Sequence, residues 1–257
     1  MSRKLCNRCQ RPEKACICAF TSEVENVIKV IVLQHPQEVK QTKGTISLLK
    51  NSLTRCEVII GEYFSEISLE QKAENKTKAN NNAKSNIAQS EQANTQAADA
   101  FTASRRLKEL LENNHCLLLY PGEQAKVIEP DLVASLTRTQ ATESIRKKSL
   151  CLIVLDGTWK KAYRMFMLSP MLQALTQVTL PESIASAGRY QIRKVAKKNA
   201  LSSLEACCYA LMLIENQGQL EAILDKSKSK SYQKLLAKFD DFNQFQLGFV
   251  PKLISNE

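Results

Sequence analysis

The amino-acid sequence predicts an α/β fold, in which a mostly parallel β-sheet is flanked by helices. Short apolar runs rich in β-branched residues recur along the chain, and such runs are typical of strands buried on both faces. Segments with apolar residues at helical spacing separate the runs, and this alternation favours parallel pairing. Four cysteines precede the first run. We therefore expect a small N-terminal segment over residues 1–25 and one α/β domain over residues 26–257.

The N-terminal segment concentrates thiols in one short stretch, at Cys6, Cys9, Cys16 and Cys18. Four neighbouring thiolates match the tetrahedral preference of Zn2+. They leave no open position for a substrate, so we predict a structural zinc site in a small N-terminal knob. Reduced thiols without a metal, or a redox pair, are the alternatives.

The first half of the domain predicts a strand–helix–strand unit. Residues 27–33 predict a strand that leads into a proline-marked loop containing His35. Residues 42–53 carry apolar residues at helical spacing, and residues 56–60 predict the second strand. Residues 69–100 contain almost no large apolar side chain, so we expect an insertion that loops out of the domain. Its alanine, lysine and glutamate residues are compatible with partial helix formation.

The second half repeats the alternation. Residues 105–114 predict an amphipathic helix, and residues 116–120 a third buried strand. Residues 150–155 predict the fourth strand, and residues 178–180 a short edge strand. A further amphipathic helix is predicted over residues 232–242.

A capping box marks the start of a helix over residues 202–214. Ser202 is the expected N-cap, and Glu205 is three residues later. Glu205 therefore has a sufficient structural role, and we do not assign it a catalytic one.

The junction after the fourth strand combines a carboxylate, a glycine, a hydroxyl and the only tryptophan, at Asp156, Gly157, Thr158 and Trp159. In open α/β sheets, ligands bind where a strand ends and a helix begins. Asp at this position also commonly caps the following helix, so the residues alone leave both roles open for Asp156. Trp159, Tyr163 and Phe166 recur at helical spacing, and we expect Trp159 to pack into the wall of the pocket.

The composition restricts the compartment and the partners. Lysine and arginine total 36 against 26 acidic residues, a net charge of +10, which suits a polyanionic partner. No run approaches the roughly 18 apolar residues of a membrane span, and the first residues lack the apolar stretch of a secretory signal. We expect a cytoplasmic protein that does not associate with membranes. The sequence leaves the oligomeric state open.

Five blocks of sequence resemble, in order, the signatures of the DTW-domain family, the tRNA-uridine aminocarboxypropyltransferases. The blocks are CNRCQRPEKACIC, VLQHPQE, LLLYPGE, LDGTWKKAYRM and YQIRKVAKKNALSSLEA. A lone Asp-x-Thr-Trp match is weak, whereas five blocks in the right order are specific. They span residues 6 to about 213, and residues 69–100 fall outside them.

The resemblance implies transfer of the 3-amino-3-carboxypropyl group of S-adenosylmethionine to N3 of a tRNA uridine, with release of 5′-methylthioadenosine. In bacterial members the target is the uridine at tRNA position 47, and the four cysteines bind zinc. The implied fold is similar to the SPOUT class, with a knotted C-terminal region. A knot contradicts the general rule that chains do not thread their own loops.

The implied chemistry assigns roles to residues of this chain. Uridine N3 must lose its proton as it attacks, and Asp156 is the predicted base, with Thr158 and Trp159 as the other predicted catalytic residues. Predicted S-adenosylmethionine-binding residues lie at strand ends and at one helix start, namely Leu119, Tyr120, Pro121, Gly122, Leu155 and Ser202. Backbone N–H groups at that helix start suit the methionine carboxylate.

The resemblance also implies a partner for the basic residues, namely the phosphates of the tRNA. A run without acids supplies Arg189, Arg193, Lys194, Lys197 and Lys198, and Tyr190 among them can stack on an unpaired base. Lys160, Lys161 and Arg164 form either a solvated helix face or a second RNA contact. Their adjacency to Asp156 favours RNA.

Two rival functions stay open. One is an S-adenosylmethionine-dependent RNA methyltransferase of similar fold, which product mass distinguishes from the transferase. The other is a non-catalytic, zinc-containing RNA-binding protein, which would form neither product.

Overall fold

A single β-sheet organises the computed structural model, which describes residues 4–9, 11–41, 44–65, 87–142, 148–185, 201–225 and 229–249. Its strands are β1 (Lys29–Gln34), β2 (Cys56–Ile60), β3 (Asn114–Leu119), β4 (Lys126–Val127), β5 (Ser149–Asp156) and β6 (Thr176–Thr179). They lie in the order β2-β1-β5-β3-β6-β4, and every neighbouring pair is parallel. The predicted α/β class with a parallel sheet is confirmed.

The helices of the described chain connect the strands and cover the sheet. They are α1 (Ile46–Ser52), α2 (Ile87–Asn113), α3 (Pro130–Thr142), α4 (Trp159–Leu168), α5 (Pro170–Gln173), α6 (Glu182–Ala185), α7 (Ser203–Glu215), α8 (Glu221–Leu224) and α9 (Lys230–Leu247). Short 3-10 turns occur at Glu13–Ala15, Cys18–Phe20 and Pro36–Glu38. None of the helices among these residues has both the length and the apolar character needed to cross a bilayer.

Two hydrophobic cores lie on opposite faces of the sheet, because successive strand residues point to opposite sides. Val32 and Leu152 belong to the core that includes α1, α7 and α9. Ile31 and Ile153 belong to the core that includes α2, α4 and α5. The strands are therefore covered on both faces, which explains their continuous apolar runs.

Helix α7 is buried almost all round, rather than along the single stripe that its spacing suggests. It contacts β5, α1 and α9, so it lies between the sheet and the last helix. Every residue from Cys207 to Ile214 is buried. The helix begins as predicted: the Ser202 hydroxyl accepts from the Glu205 N–H at 3.2 Å, and the Glu205 carboxylate accepts from the Ser202 N–H at 2.8 Å.

One sequence-based expectation about the strands is wrong. The strand near residues 178–180 is not at the edge, because the two-residue β4 pairs outside β6. Residues 87–100 of the expected insertion are helical and form the first turns of α2. Residues 66–86 lie outside the described chain, as do residues 186–200, so the expected knot and the domain division stay predictions.

Candidate functional site

The sheet has a topological switch point between β1 and β5. The chain leaves β1 through α1 to reach β2 on one side, and leaves β5 through α4 to reach β6 on the other. A crevice forms where such connections diverge, at the carboxyl ends of the strands. Gln34 and Asp156 are register partners there, so the residue singled out from the sequence lies at the edge where open α/β sheets bind ligands.

Asp156 joins three parts of the fold. Its side chain is buried, with one oxygen accepting from Gln34 Nε2 at 2.9 Å and the other from the Ser203 hydroxyl at 3.1 Å. Its carbonyl accepts from the His35 N–H at 3.0 Å. The end of β1, the end of β5 and the start of α7 therefore meet at one carboxylate, which is held in a fixed orientation.

Thr158, and not Asp156, caps helix α4. The Thr158 hydroxyl accepts from the Lys161 N–H at 3.4 Å, and its backbone is extended, as at an N-cap. Gly157 keeps the turn narrow: a Cβ there would lie 3.0 Å from Lys161 Cβ and 3.8 Å from His35 Cβ. The capping alternative for Asp156 is therefore wrong, and the Thr158 hydroxyl has a structural role of its own.

Helix α4 packs through a different face from the one expected. Ala162 and Met165 are its buried residues, whereas Trp159 is 53% and Tyr163 57% exposed. The expectation that Trp159 packs into a pocket wall is wrong, because the phase of the helix points that side chain outward.

Two cations of α4 are anchored by acids from neighbouring loops. Lys161 Nζ lies 2.8 Å from Glu38 Oε1, and Glu38 is almost completely buried. Arg164 Nε lies 2.6 Å from Glu62 Oε1, which is also 3.5 Å from His35 Nε2. These ion pairs hold the loops that follow β1 and β2 against α4.

The loop predicted to bind S-adenosylmethionine follows β3, directly beside β5. Leu119 pairs with Val154 of β5, and the Tyr120 ring stacks on Phe166 of α4 at 4.6 Å. Burial raises the pKa of the Tyr120 hydroxyl. The Gly122 N–H donates to the Tyr120 carbonyl at 2.9 Å, which closes the turn around Pro121.

Two other residues predicted to bind S-adenosylmethionine, Leu155 and Ser202, contribute to the packing and capping of the fold. Leu155 is part of the core that packs against α4. The Ser202 hydroxyl is engaged in the capping box of α7, whereas the next residue, Ser203, reaches Asp156.

Sequence reasoning missed Gln34, Glu38 and Glu62, and it considered Ser203 only as part of a helix start that holds the co-substrate. Gln34 and Glu38 lie in the VLQHPQE block and Ser203 in the last block. Their positions within these family signatures could have identified them as candidate site residues. Glu62 had no such signal. The predicted RNA-contacting run with Arg189, Tyr190, Arg193, Lys194, Lys197 and Lys198 lies outside the described residues.

The four N-terminal cysteines converge on one point. Their sulfur atoms all lie within 4.8 Å of one another, and Cys6–Cys18 and Cys9–Cys16 are each 3.8 Å apart. A tetrahedron with Zn–S bonds of about 2.3 Å has edges of about 3.8 Å, so the donor set fits a zinc ion. Backbone N–H groups of Cys9 and Arg8 lower the pKa of the Cys6 thiol to about 6.

The cysteine cluster is attached to the domain by aromatic packing. Phe20 lies two residues after Cys18 and contacts Phe242 and Phe245 of α9, with ring centroids 5.9 Å and 5.1 Å apart. Arg11 also donates to the carbonyl of Gly44 at 3.4 Å. A metal held by the cysteines would thus fix the shape of the knob, and these contacts attach the knob to the domain.

Comparisons with known proteins agree with the sequence blocks. The family model described as "DTW domain" matches residues 3–247. The tRNA-uridine aminocarboxypropyltransferases 2 of Macaca fascicularis and Mus musculus are each 26% identical over 226 residues, which cover 86% of this chain and 60% of theirs. The Drosophila melanogaster protein of the same name is 25% identical, over 86% of this chain and 71% of its own. The chain thus spans about 60% of the length of the two mammalian relatives. No solved structure matches.

Proposed function

Because the chain belongs to the DTW-domain family, we propose that it transfers the 3-amino-3-carboxypropyl group of S-adenosylmethionine to N3 of a tRNA uridine. The tRNA-uridine aminocarboxypropyltransferase name of its relatives supports this activity. The observation that carries the proposal is the position of Asp156, a buried, oriented carboxylate at the switch point of the sheet. The proposed target is the uridine at tRNA position 47.

The proposed reaction is a displacement at carbon. Uridine N3 forms a bond to the carbon next to the sulfonium, the carbon–sulfur bond breaks, and its electrons stay on sulfur. The leaving group is neutral 5′-methylthioadenosine, so neither a metal nor a general acid is required. The N3 proton passes to Asp156, which acts as general base.

Orientation of that base is the task of its neighbours. Gln34 and Ser203 each donate to one oxygen of Asp156, and a carboxylate oxygen can accept more than one hydrogen bond. The carboxylate is therefore held in place for the proposed proton transfer. Such fixed positioning contributes to rate by avoiding reorganisation in the reacting complex.

The co-substrate is proposed to bind across the ends of β3 and β5. Residues 119–122 flank the Asp156 turn on the side opposite β1, and Leu155, which precedes Asp156, is a further proposed contact. Of the two serines at the start of α7, Ser203 faces this region. The backbone at Ser202 and Ser203 is the proposed contact for the methionine carboxylate.

The remaining proposed contacts are with RNA and metal. The basic run between residues 189 and 198 and the cations of α4 are proposed to bind tRNA phosphates, so binding should weaken steeply with salt. Zinc in the cysteine cluster would cross-link the N-terminal knob and is assigned no chemical step.

The test is a reaction of purified protein with S-adenosylmethionine and unmodified tRNA, followed by chromatography of the small-molecule product and mass spectrometry of the nucleosides. We expect 5′-methylthioadenosine and a uridine carrying the aminocarboxypropyl group. S-adenosylhomocysteine with a methylated nucleoside would establish the methyltransferase alternative. Tight tRNA binding with neither product would favour the non-catalytic alternative.

A further inference from the structure

The solvent side of helix α4 carries large apolar side chains. Trp159, Tyr163 and Met167 are 53%, 57% and 50% exposed, and their spacing places them on one face of the helix. The opposite face packs on the domain through Ala162 and Met165. Apolar side chains grouped outward in this way mark a binding surface more often than scattered ones do.

Cations are interleaved with this apolar face. The helix sequence WKKAYRMFML contains Lys160, Lys161 and Arg164 and no acidic residue. Arg164 is held by Glu62, and the next residue along that loop, Tyr63, is also exposed. Aromatic rings alternating with cations suit a single-stranded nucleic acid, because rings stack on bases and cations contact phosphates.

The position of the face points to the same ligand. Helix α4 begins immediately after the Asp156–Thr158 turn, so nucleotides on its outer side would adjoin a uridine presented to Asp156. On the other edge of the helix, Phe166 stacks on Tyr120. The surface is thus continuous with the loop proposed to hold the co-substrate.

We infer that the outward face of α4, formed by Trp159, Lys160, Tyr163, Arg164 and Met167, is a stacking surface for unpaired RNA bases that flank the target nucleotide. This inference rests on the proposed function, because it assigns the RNA segment that the same site would receive. Tyr163 is a positioning residue in this scheme: it holds the neighbouring base and takes no part in bond making.

A second copy of the chain is the competing occupant of an exposed apolar face. A two-fold contact through α4 would place the same patch of both chains together. Lys160 and Arg164 of each helix would then face the same two cations of the other, and Glu62 offsets only the charge of Arg164. Like charges brought together at an interface cost several kcal/mol, so the charge pattern favours RNA.

Substitution of Tyr163 separates these possibilities. Tyr163→Ala and Tyr163→Leu should each weaken binding of unmodified tRNA by about 5- to 100-fold, the usual effect of losing one stacked base. Tyr163→Phe, which keeps the ring, should bind within about twofold of the wild type. The matched control is Phe249→Ala, since Phe249 is similarly exposed, at 55%, but follows α9.

Fluorescence anisotropy with labelled tRNA measures the affinities, and light scattering measures the mass in solution. In the modification assay, KM for tRNA should rise for Tyr163→Ala while kcat stays within about threefold, because the residue is assigned to ground-state binding. Wild-type affinity in both the Ala and the Leu variants would overturn the inference. So would conversion of a wild-type dimer to monomers with unchanged RNA affinity.

Failure of the inference and of the proposed function are distinguishable. If the wild type forms no aminocarboxypropyl adduct, the proposed function fails. If the wild type is active but the Tyr163 variants bind and modify tRNA normally, only the stacking surface is wrong.

Discussion

Asp156→Asn is the most informative substitution, because it removes the charge and the basicity while keeping the shape. The asparagine oxygen can accept from Gln34 Nε2, as one carboxylate oxygen does. Its amide can donate to the Ser203 oxygen, since a hydroxyl both donates and accepts. Two charge-assisted hydrogen bonds become neutral ones, so the free energy of unfolding should fall by only about 1–2 kcal/mol.

The loss of activity should be far larger than the loss of stability. A positioned general base contributes about 100- to 10,000-fold to rate, which corresponds to roughly 3–5 kcal/mol in the activation barrier. The effect belongs in kcat, because proton transfer occurs in the transition state. KM for tRNA should change little.

The assay follows release of 5′-methylthioadenosine under saturating tRNA and S-adenosylmethionine, with urea denaturation of the same preparations. Asp156→Ala serves as a comparison, because it leaves a buried Gln34 amide without its acceptor and should cost about 1–3 kcal/mol more stability. A kcat for Asp156→Asn within about threefold of the wild type would refute the role of base, whatever the stability.

Three further predictions concern the metal, a turn and an ion pair. Cys9→Ser should reduce bound zinc from about one ion per chain to near zero by elemental analysis, whereas Cys56→Ser should keep it. Gly218→Ala should lower the free energy of unfolding in urea by about 2 kcal/mol or more, since the φ of Gly218 is +75° and a Cβ there would collide with the backbone of Glu129, just before α3. The hydrogen bond from Arg106 lowers the pKa of Glu57 to about 2. That stabilisation is complete above the unfolded pKa of about 4 and is lost as pH falls towards 2. The stability difference between wild type and Glu57→Gln should shrink over that interval; a difference independent of pH would contradict the assignment.

The sequence was most informative where a local physical rule decides the structure. The run at residues 150–155 predicted β5 because a strand covered on both faces must be apolar throughout. Ser202 and Glu205 predicted the start of α7 because capping chemistry is local. Strand β4 could not be predicted, since two residues carry no periodicity and owe their pairing to β6.

The partners of Asp156 depended on information that a single sequence does not contain. The turn itself was evident, but Gln34 reaches it only because β1 lies beside β5, and sheet order is a property of the whole topology. The prediction of the orientation of Trp159 was wrong for a related reason. Its spacing allowed either face of α4 to pack, and complementarity with the neighbouring core selected the face with Ala162 and Met165.

The contact between Phe20 and the rings of α9 has a consequence for how the chain assembles. The four cysteines are close in sequence, so they can bind a metal ion as soon as that short segment has been synthesised. Phe20 cannot make these ring contacts until Phe242 and Phe245 have been synthesised, after all of strands β1 to β6. Contacts between residues so distant along the chain form slowly, because a long loop must be closed first. Folding should therefore show an early metal-dependent phase that is local, and a late phase in which the preformed knob docks on the last helix.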